Sequence, residues 1–354
     1  MENAFLVYTS KYEQPIKVER FHICTWEFKS SSLIEFGVEI DRDSIKDKES
    51  LDIFFYVPWV NKNCKRKDLY EKLKESENSL FIFNDSISNT FYLDGGINKI
   101  GVVHEFSDRN KLCILPVELK INGNNIITAT LNLKSYNSQS EKTNIYFRFY
   151  VEPNIQHIST RKKGINKTRI IYDIKINERR NIPDNIFKEF EDRQLCNIKT
   201  CFSFNIVPNK FDLEFFDNSS LKSVRTLEYE SFNKYLGDNR VKKDDLIVVF
   251  NKKQDLESYI FFSMYAYERI GLGQFALAIL INIICGFLLF LPSYREKLRP
   301  ELSAKQILLE LPIEIIIALV LIISTFIYFV FPVIRYWIRR SYLFVLNNIK
   351  KIKL

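Results

Sequence analysis

Residues 113–133 read CILPVELKINGNNIITATLNL. Cys113, Leu115, Val117, Leu119 and Ile121 take alternate positions, and Ile127, Ala129, Leu131 and Leu133 do the same beyond Asn122-Gly123-Asn124-Asn125. Side chains of a strand alternate between two faces, and an Asn/Gly cluster gives the backbone the freedom for a tight reversal. The stretch therefore reads as a β-hairpin with one apolar face.

The same period recurs outward from this hairpin. In residues 16–28 the even positions Ile16, Val18, Arg20, His22, Cys24, Trp26 and Phe28 oppose Lys17, Glu19, Thr25 and Glu27, as in a strand with one buried side. Ile34, Phe36, Val38 and Ile40 alternate likewise, as do residues 145–151, 170–176 and 202–206. The runs at 51–60, with Asp52 as its one charge, and at 246–250 are otherwise apolar, which suits strands buried on both faces. Helices are expected at 65–75, at 184–195, and at 226–236, where Gly237 supplies a terminator. So many half-buried strands with few helices predict an α+β, β-rich fold of sandwich-like antiparallel strands rather than a doubly wound parallel sheet.

The period changes at the C-terminus. Residues 270–291 read IGLGQFALAILINIICGFLLFL, 22 positions without a charge, and 315–334 read IIIALVLIISTFIYFVFPVI, again uncharged. A helix of about 20 residues spans roughly 30 Å of hydrocarbon, so the two runs predict a transmembrane hairpin. Four Lys/Arg lie in the connection, against Lys252, Lys253 and Arg269 before the first run and six basic residues after the second. That imbalance predicts a two-pass protein of the cell's inner or plasma membrane with both termini cytoplasmic. In the first run Gln274, Ala278, Asn282 and Gly286 recur every fourth position and share a helix face. An amide is costly against lipid, so this face is expected to pack within the hairpin and against other copies of the chain, or to line a water-filled pathway through an oligomer. Neither run holds Asp, Glu, Lys, Arg or His, which argues against a proton relay.

The resulting organisation is a β-rich cytosolic portion at 1–152 and a second α+β portion at 153–255, divided by the proline, glycine and basic residues of 152–166. A stalk or interfacial helix is expected at 256–269, transmembrane helices at 270–291 and 315–334 joined by 292–314, and a basic cytoplasmic tail at 335–354. That tail mixes apolar side chains with three lysines, suiting either an anionic inner leaflet or a plain helical extension.

Composition agrees with a folded chain. The 354 residues are 46% apolar with only 10 glycines and 10 prolines, which excludes collagen and Pro/Gly-rich disorder. The net charge of +8 is local: ten Lys/Arg stand against four Glu in residues 293–354, and the rest of the chain is nearly neutral. The six cysteines have no repeating interval and the start shows no secretory signal, so a reducing compartment is expected for the bulk of the chain.

Motifs of known chemistry are missing: no GxxxxGK[ST] loop, GxGxxG turn, HExxH helix or GxSxG elbow occurs. His22 and Cys24 share a strand face, but one rich in core residues, so a nucleophile pair is the lesser reading. Cys196 and Cys201 have no second pair at zinc spacing, and neither a metal nor a cofactor is expected. The remaining surface signal is basic: Arg161, Lys162, Lys163, Lys167 and Arg169, continued by Lys175, Arg179 and Arg180. Such a cluster suits a nucleotide, an RNA or lipid head groups, or is simply a solvated face.

These features lead to a non-enzymatic membrane protein, in which a cytosolic β-rich sensing domain controls a self-associating two-helix hairpin. In architecture it looks like the membrane-perturbing effectors of bacterial antiviral defence, a likeness of layout that no motif carries. The rivals are a tethered scaffold with a passive anchor and a tethered enzyme on an unfamiliar fold.

Overall fold

The computed structural model describes residues 3–11, 15–46, 48–93, 101–123, 125–154, 158–164, 166–181, 192–217, 221–243 and 246–295, with scattered positions between 313 and 338. In chain order the strands are β1 (Ala4–Ser10), β2 (Lys17–Glu27), β3 (Ser32–Ile40), β4 (Ser50–Tyr56), β5 (Lys65–Asp68), β6 (Ile87–Tyr92), β7 (Val102–Phe106), β8 (Leu112–Ile114), β9 (Glu118–Asn122) and β10 (Ile126–Asn132). They continue with β11 (Asn144–Glu152), β12 (Thr160–Lys163), β13 (Lys167–Ile176), β14 (Arg193–Leu195), β15 (Asn197–Pro208), β16 (Asp212–Phe216), β17 (Leu221–Thr226), β18 (Leu246–Gln254) and β19 (Tyr259–Glu268).

The strands form two mixed sheets. One runs β16-β19-β13-β1-β4-β10-β9, with β12 on β13 and β14 on β1; the other runs β17-β18-β15-β2-β3-β11-β8-β7-β6, with β5 on β11. The hairpin read first from the sequence is β9–β10, with Ile127 opposite Ile121, while Cys113 belongs to β8 in the other sheet. The expectation of antiparallel strands needs correction: β1 pairs with β13, β11 with β8 and β2 with β15 in parallel. Alternation tells which face a side chain takes and is blind to the direction of the neighbouring strand.

Rings from the two sheets meet between them. Phe55 of β4 packs against Phe21 of β2, Phe36 of β3 and Phe149 of β11, at 6.5, 5.5 and 5.0 Å between centroids, and all four are at most 1% exposed. Full burial of each such ring contributes about 1.5–3 kcal/mol. The expected single buried side of β2 is also corrected. A register shift between Val18 and Arg20 precedes a stretch from Phe21 to Glu27 that is buried throughout. Phe21 meets the inter-sheet rings, while Cys24 and Trp26 enter a second core with Leu69, Tyr70, Leu73, Phe232, Tyr235 and Leu236. Those partners lie at or on the short helices Tyr70–Leu73 and Tyr229–Leu236, which cover the outer face of the sheet.

The helix Tyr229–Leu236 ends as expected, with Gly237 at φ +64° and its N–H bonded to the Asn233 carbonyl. Residues 65–75 are strand β5 and then the turn of helix Tyr70–Leu73, and Arg193–Leu195 is strand; the remainder of the helix expected at 184–195 falls outside the described residues, apart from Asp192.

Two compact units emerge: Met1–Thr160 with Ile170–Tyr265, and Arg161–Arg169 with Ala266–Leu354. A division of the β-rich portion after residue 152 is overturned, because β2 lies beside β15 and β1 beside β13 within the first unit. The stalk helix expected at 256–269 is also replaced: Tyr259–Glu268 is the strand β19. Its alternating buried residues Tyr259, Phe261, Ser263 and Tyr265 give the physical reason, a period of two.

In the second unit a helix of 24 residues, Leu272–Arg295, follows β19 after three residues. Its side chains are described without a break only over 273–286. Among the described residues no helix is long and apolar enough to cross a membrane. The backbone is helical at Ile316, Ile317, Leu319, Val320, Leu321, Ile323, Ser324, Ile327, Phe331 and Ile334; the rest of 315–334, with 296–312 and 339–354, lies outside the described residues.

Candidate functional site

Burial on both faces of the second sheet forces charged residues of its strands into the core beneath the short helices. Glu35 of β3 is 0% exposed and Arg148 of β11 is 5% exposed. Arg148 Nη2 and Nε donate to Glu35 Oε2 at 2.6 and 2.8 Å, Tyr235 OH donates to the same oxygen at 3.0 Å, and Trp26 Nε1 donates to Oε1 at 2.7 Å. Burial opposes the Arg148 charge, but the Tyr235 and Glu35 oxygens around it hold its pKa well above the ordinary value. The carboxylate is ringed by donors, as a buried charge must be.

The network extends to His22, whose Nδ1 lies 2.9 Å from the Tyr146 hydroxyl, itself 3.4 Å from Arg148 Nη1. Burial, then the positive charges of Arg148, Arg109 and Arg20, push the His22 pKa well below the ordinary value. Burial, then the Glu35 carboxylate, raise the Cys24 thiol well above its ordinary range. A neutral, hydroxyl-bound imidazole beside a protonated thiol is a core arrangement with no activated nucleophile. His104 is similar: Nε2 lies 2.9 Å from the Leu73 carbonyl and Nδ1 2.9 Å from Thr90 Oγ1, while burial lowers its pKa. Cys196 and Cys201 are free and buried, the former thiol pushed up by burial to about 12 and the latter well above its ordinary value, also chiefly by burial.

A polar cleft of about 770 Å³ opens at the edge of this sheet, lined by Arg20, Glu39, Asp41, Glu105, Arg109 and Lys111 among others. Its charges answer one another. Arg109 donates to Glu39 at 2.9 Å and lies 4.9 and 5.0 Å from the ring centroids of Phe83 and Phe106, and Lys111 bridges Glu105 and Glu141.

The basic residues singled out in the sequence do assemble in the second unit. Arg161, Lys162 and Lys163 lie on β12, and Lys167 and Arg169 on the paired β13. Lys162 and Lys163 are exposed; Lys167 sits 3.6 Å from Glu268. Their turn is bonded to the foot of the apolar helix. Arg269 donates from its backbone N to the Asn166 carbonyl at 2.7 Å and from Nη1 to the Gly164 carbonyl at 2.8 Å. Sequence reading treated Arg269 only as a flanking charge; its two carbonyl partners are contacts between distant parts of the chain.

Of the fourfold-spaced helix residues, Gln274 and Ala278 are half-buried, whereas Asn282 and Gly286 are exposed. Gln274 already has a partner at the start of its own helix: its Oε1 accepts from the Gly271 N–H at 2.9 Å, and the Phe275 N–H donates to the Gly271 carbonyl at 3.1 Å. That is the backward bond of a capping box, and the spacing of Gly271 and Gln274 was a signal for it. A Cβ at Gly286 would meet nothing within 4 Å. Compared with known families and with curated proteins, the chain matches no family model and no curated sequence.

Proposed function

We propose that the chain is a two-pass membrane protein, with a cytosolic β-rich head that binds a ligand or partner and controls self-association of its helical hairpin. The observation that carries this reading is the solvent exposure of large apolar side chains on the C-terminal helical residues. Phe275, Leu277, Ile279, Leu280, Ile283 and Leu289 are 47–62% exposed, and Ile313, Val320, Ile323, Ile327, Phe331 and Ile338 are 54–69% exposed. A patch of this extent is far beyond what a water-soluble surface carries. Lipid is the environment that matches it, and the uncharged sequence runs 270–291 and 315–334 have the length that a bilayer core requires of a helix.

Within that apolar surface the exposed Asn282 and Gly286 support association between copies, because an amide is stabilised in lipid by a partner across a close helix contact. Residues at i and i+4 form a ridge inclined to the helix axis, suited to a right-handed crossing near about −40°. Permeabilisation of the membrane upon assembly is the activity this arrangement supports best, with no catalytic role for the chain.

The test is expression of the full chain in cells. The chain is expected in the carbonate-resistant membrane fraction, with its head protected from protease added outside intact spheroplasts, and with dye entry upon induction. Extraction by carbonate, or cleavage of the head from outside, overturns the anchor or its orientation. If dye stays out and an unrelated helical hairpin preserves the head's binding behaviour, the passive scaffold replaces the effector.

A further inference from the structure

We propose that the β12–β13 hairpin is a clamp for anionic lipid head groups at the membrane surface, an inference that rests on the membrane reading above. Arg161, Lys162, Lys163, Lys167, Arg169 and Arg269 lie together in this unit, with Lys167 3.6 Å from Glu268 at the adjoining strand end. The position of these charges is fixed by bonding. Arg269 holds both the Gly164 and the Asn166 carbonyls of the turn, and the apolar helix begins three residues later at Leu272. When the helix enters a bilayer, its first turn is at the interface, and the hairpin stapled to that turn is at the level of the phosphates.

The layout of the charges favours lipids over a single soluble phosphate ligand. Lys162 and Lys163 are consecutive on a strand and both exposed, so they project to opposite faces and do not converge on one small anion. A fluid layer of many head groups meets both faces of a ribbon lying in it. Arg supplies forked hydrogen bonding to phosphate oxygens and Lys a point charge, and each basic residue near an anionic leaflet adds favourable energy.

The experiment uses the full chain reconstituted into vesicles of phosphatidylcholine alone, or with about three parts in ten phosphatidylglycerol. Carbonate resistance reports the span, and the rate of tryptic cleavage after residues 161–169 reports the hairpin. Cleavage is expected to be ~5-fold or more slower with phosphatidylglycerol, and the protection to fade at ~0.5 M salt as screening shortens the reach of the charges. Lys162→Gln with Lys163→Gln, both exposed and neither taking part in the Arg269 bonds to the turn carbonyls, is expected to bring cleavage at the remaining basic sites close to its rate in neutral vesicles. Equal cleavage in both lipids, with the chain still carbonate-resistant, overturns the clamp and leaves the span standing. Protection in neutral vesicles by inorganic phosphate or ATP assigns the surface to soluble anions and overturns the lipid proposal. Carbonate extraction from both vesicle types removes the membrane reading and the clamp together.

Discussion

The Tyr146 hydroxyl occupies the space that a Cβ on Gly37 would need, with the ring carbon Cζ only 3.0 Å from that position. Gly37 lies opposite Arg148 on the paired strands β3 and β11, so the missing side chain admits Tyr146 to the buried Glu35–Arg148–His22 network. The contact explains a glycine in the middle of a strand, where it otherwise weakens the structure.

Gly37→Ala is therefore expected to destabilise the head by about 1–3 kcal/mol through overpacking and displacement of the Tyr146 hydroxyl. Tyr146→Phe removes the atom in the way, at the cost of its hydrogen bonds. Urea unfolding of the two single variants and the double variant should show positive coupling, with the alanine tolerated better once Tyr146→Phe has removed the hydroxyl. Additive losses would mean that the crowding at Tyr146 is not what forbids the side chain.

The buried imidazoles set the acid response. His22 and His104 have folded pKa values below the unfolded value near about 6.5, so the unfolded chain binds the extra protons, and stability present above about pH 6.5 is lost as pH falls toward the folded values. Asp68 acts oppositely: burial lifts its folded pKa to about 6, so the folded state binds the extra proton and stability is gained as pH falls from about 7 toward about 4. Each proton is worth at most about 1.4 kcal/mol per pH unit. Two imidazoles against one carboxyl predict a net loss between about pH 6.5 and 5. Asp68→Asn should steepen it and His104→Gln should flatten it. Denaturant midpoints across this range measure both slopes, and a stability that rises on acidification would contradict the assignment.

The proposed self-association separates the two amides of the first apolar run. Gln274→Leu removes the acceptor for the Gly271 N–H and should loosen the helix start by about 1 kcal/mol, with self-association unchanged. Asn282→Leu leaves that cap intact and should lower self-association several-fold, since the exposed amide contributes about 1 kcal/mol across a membrane helix contact. Cross-linking in native membranes separates these outcomes. Loss of the oligomer with Gln274→Leu and its retention with Asn282→Leu would reverse the roles.

Some parts of the molecule were legible in the sequence because the signal is local. The turn at 122–125, the alternation in β3, β11 and β15, and the Gly237 terminator each report on a few neighbouring residues. The basic hairpin was legible as a charge run. Its bond to Arg269 was not, since residues 164 and 269 are remote in the chain. The Glu35–Arg148 pair escaped for a related reason. Alternation put both on the faces opposite the apolar positions, which ordinarily means water, and nothing nearby announced that helices would cover that face. A charge set between the aromatic residues Phe147 and Phe149 was the one available hint.

Taken alone, the order of residues determined where strands such as β3, β10, β11 and β15 form, which of their positions are apolar, and that the last quarter of the chain carries uncharged runs of membrane length. Periodicity and composition act over a few residues, and steric and solvation preferences at that range suffice for them. Tertiary structure decided the parallel pairings, the second buried face of the β2–β3–β11 sheet, and the partners of Glu35, His22 and Arg269. Those depend on which distant segment covers a surface, and the free energy of covering it belongs to the contact between segments rather than to either one.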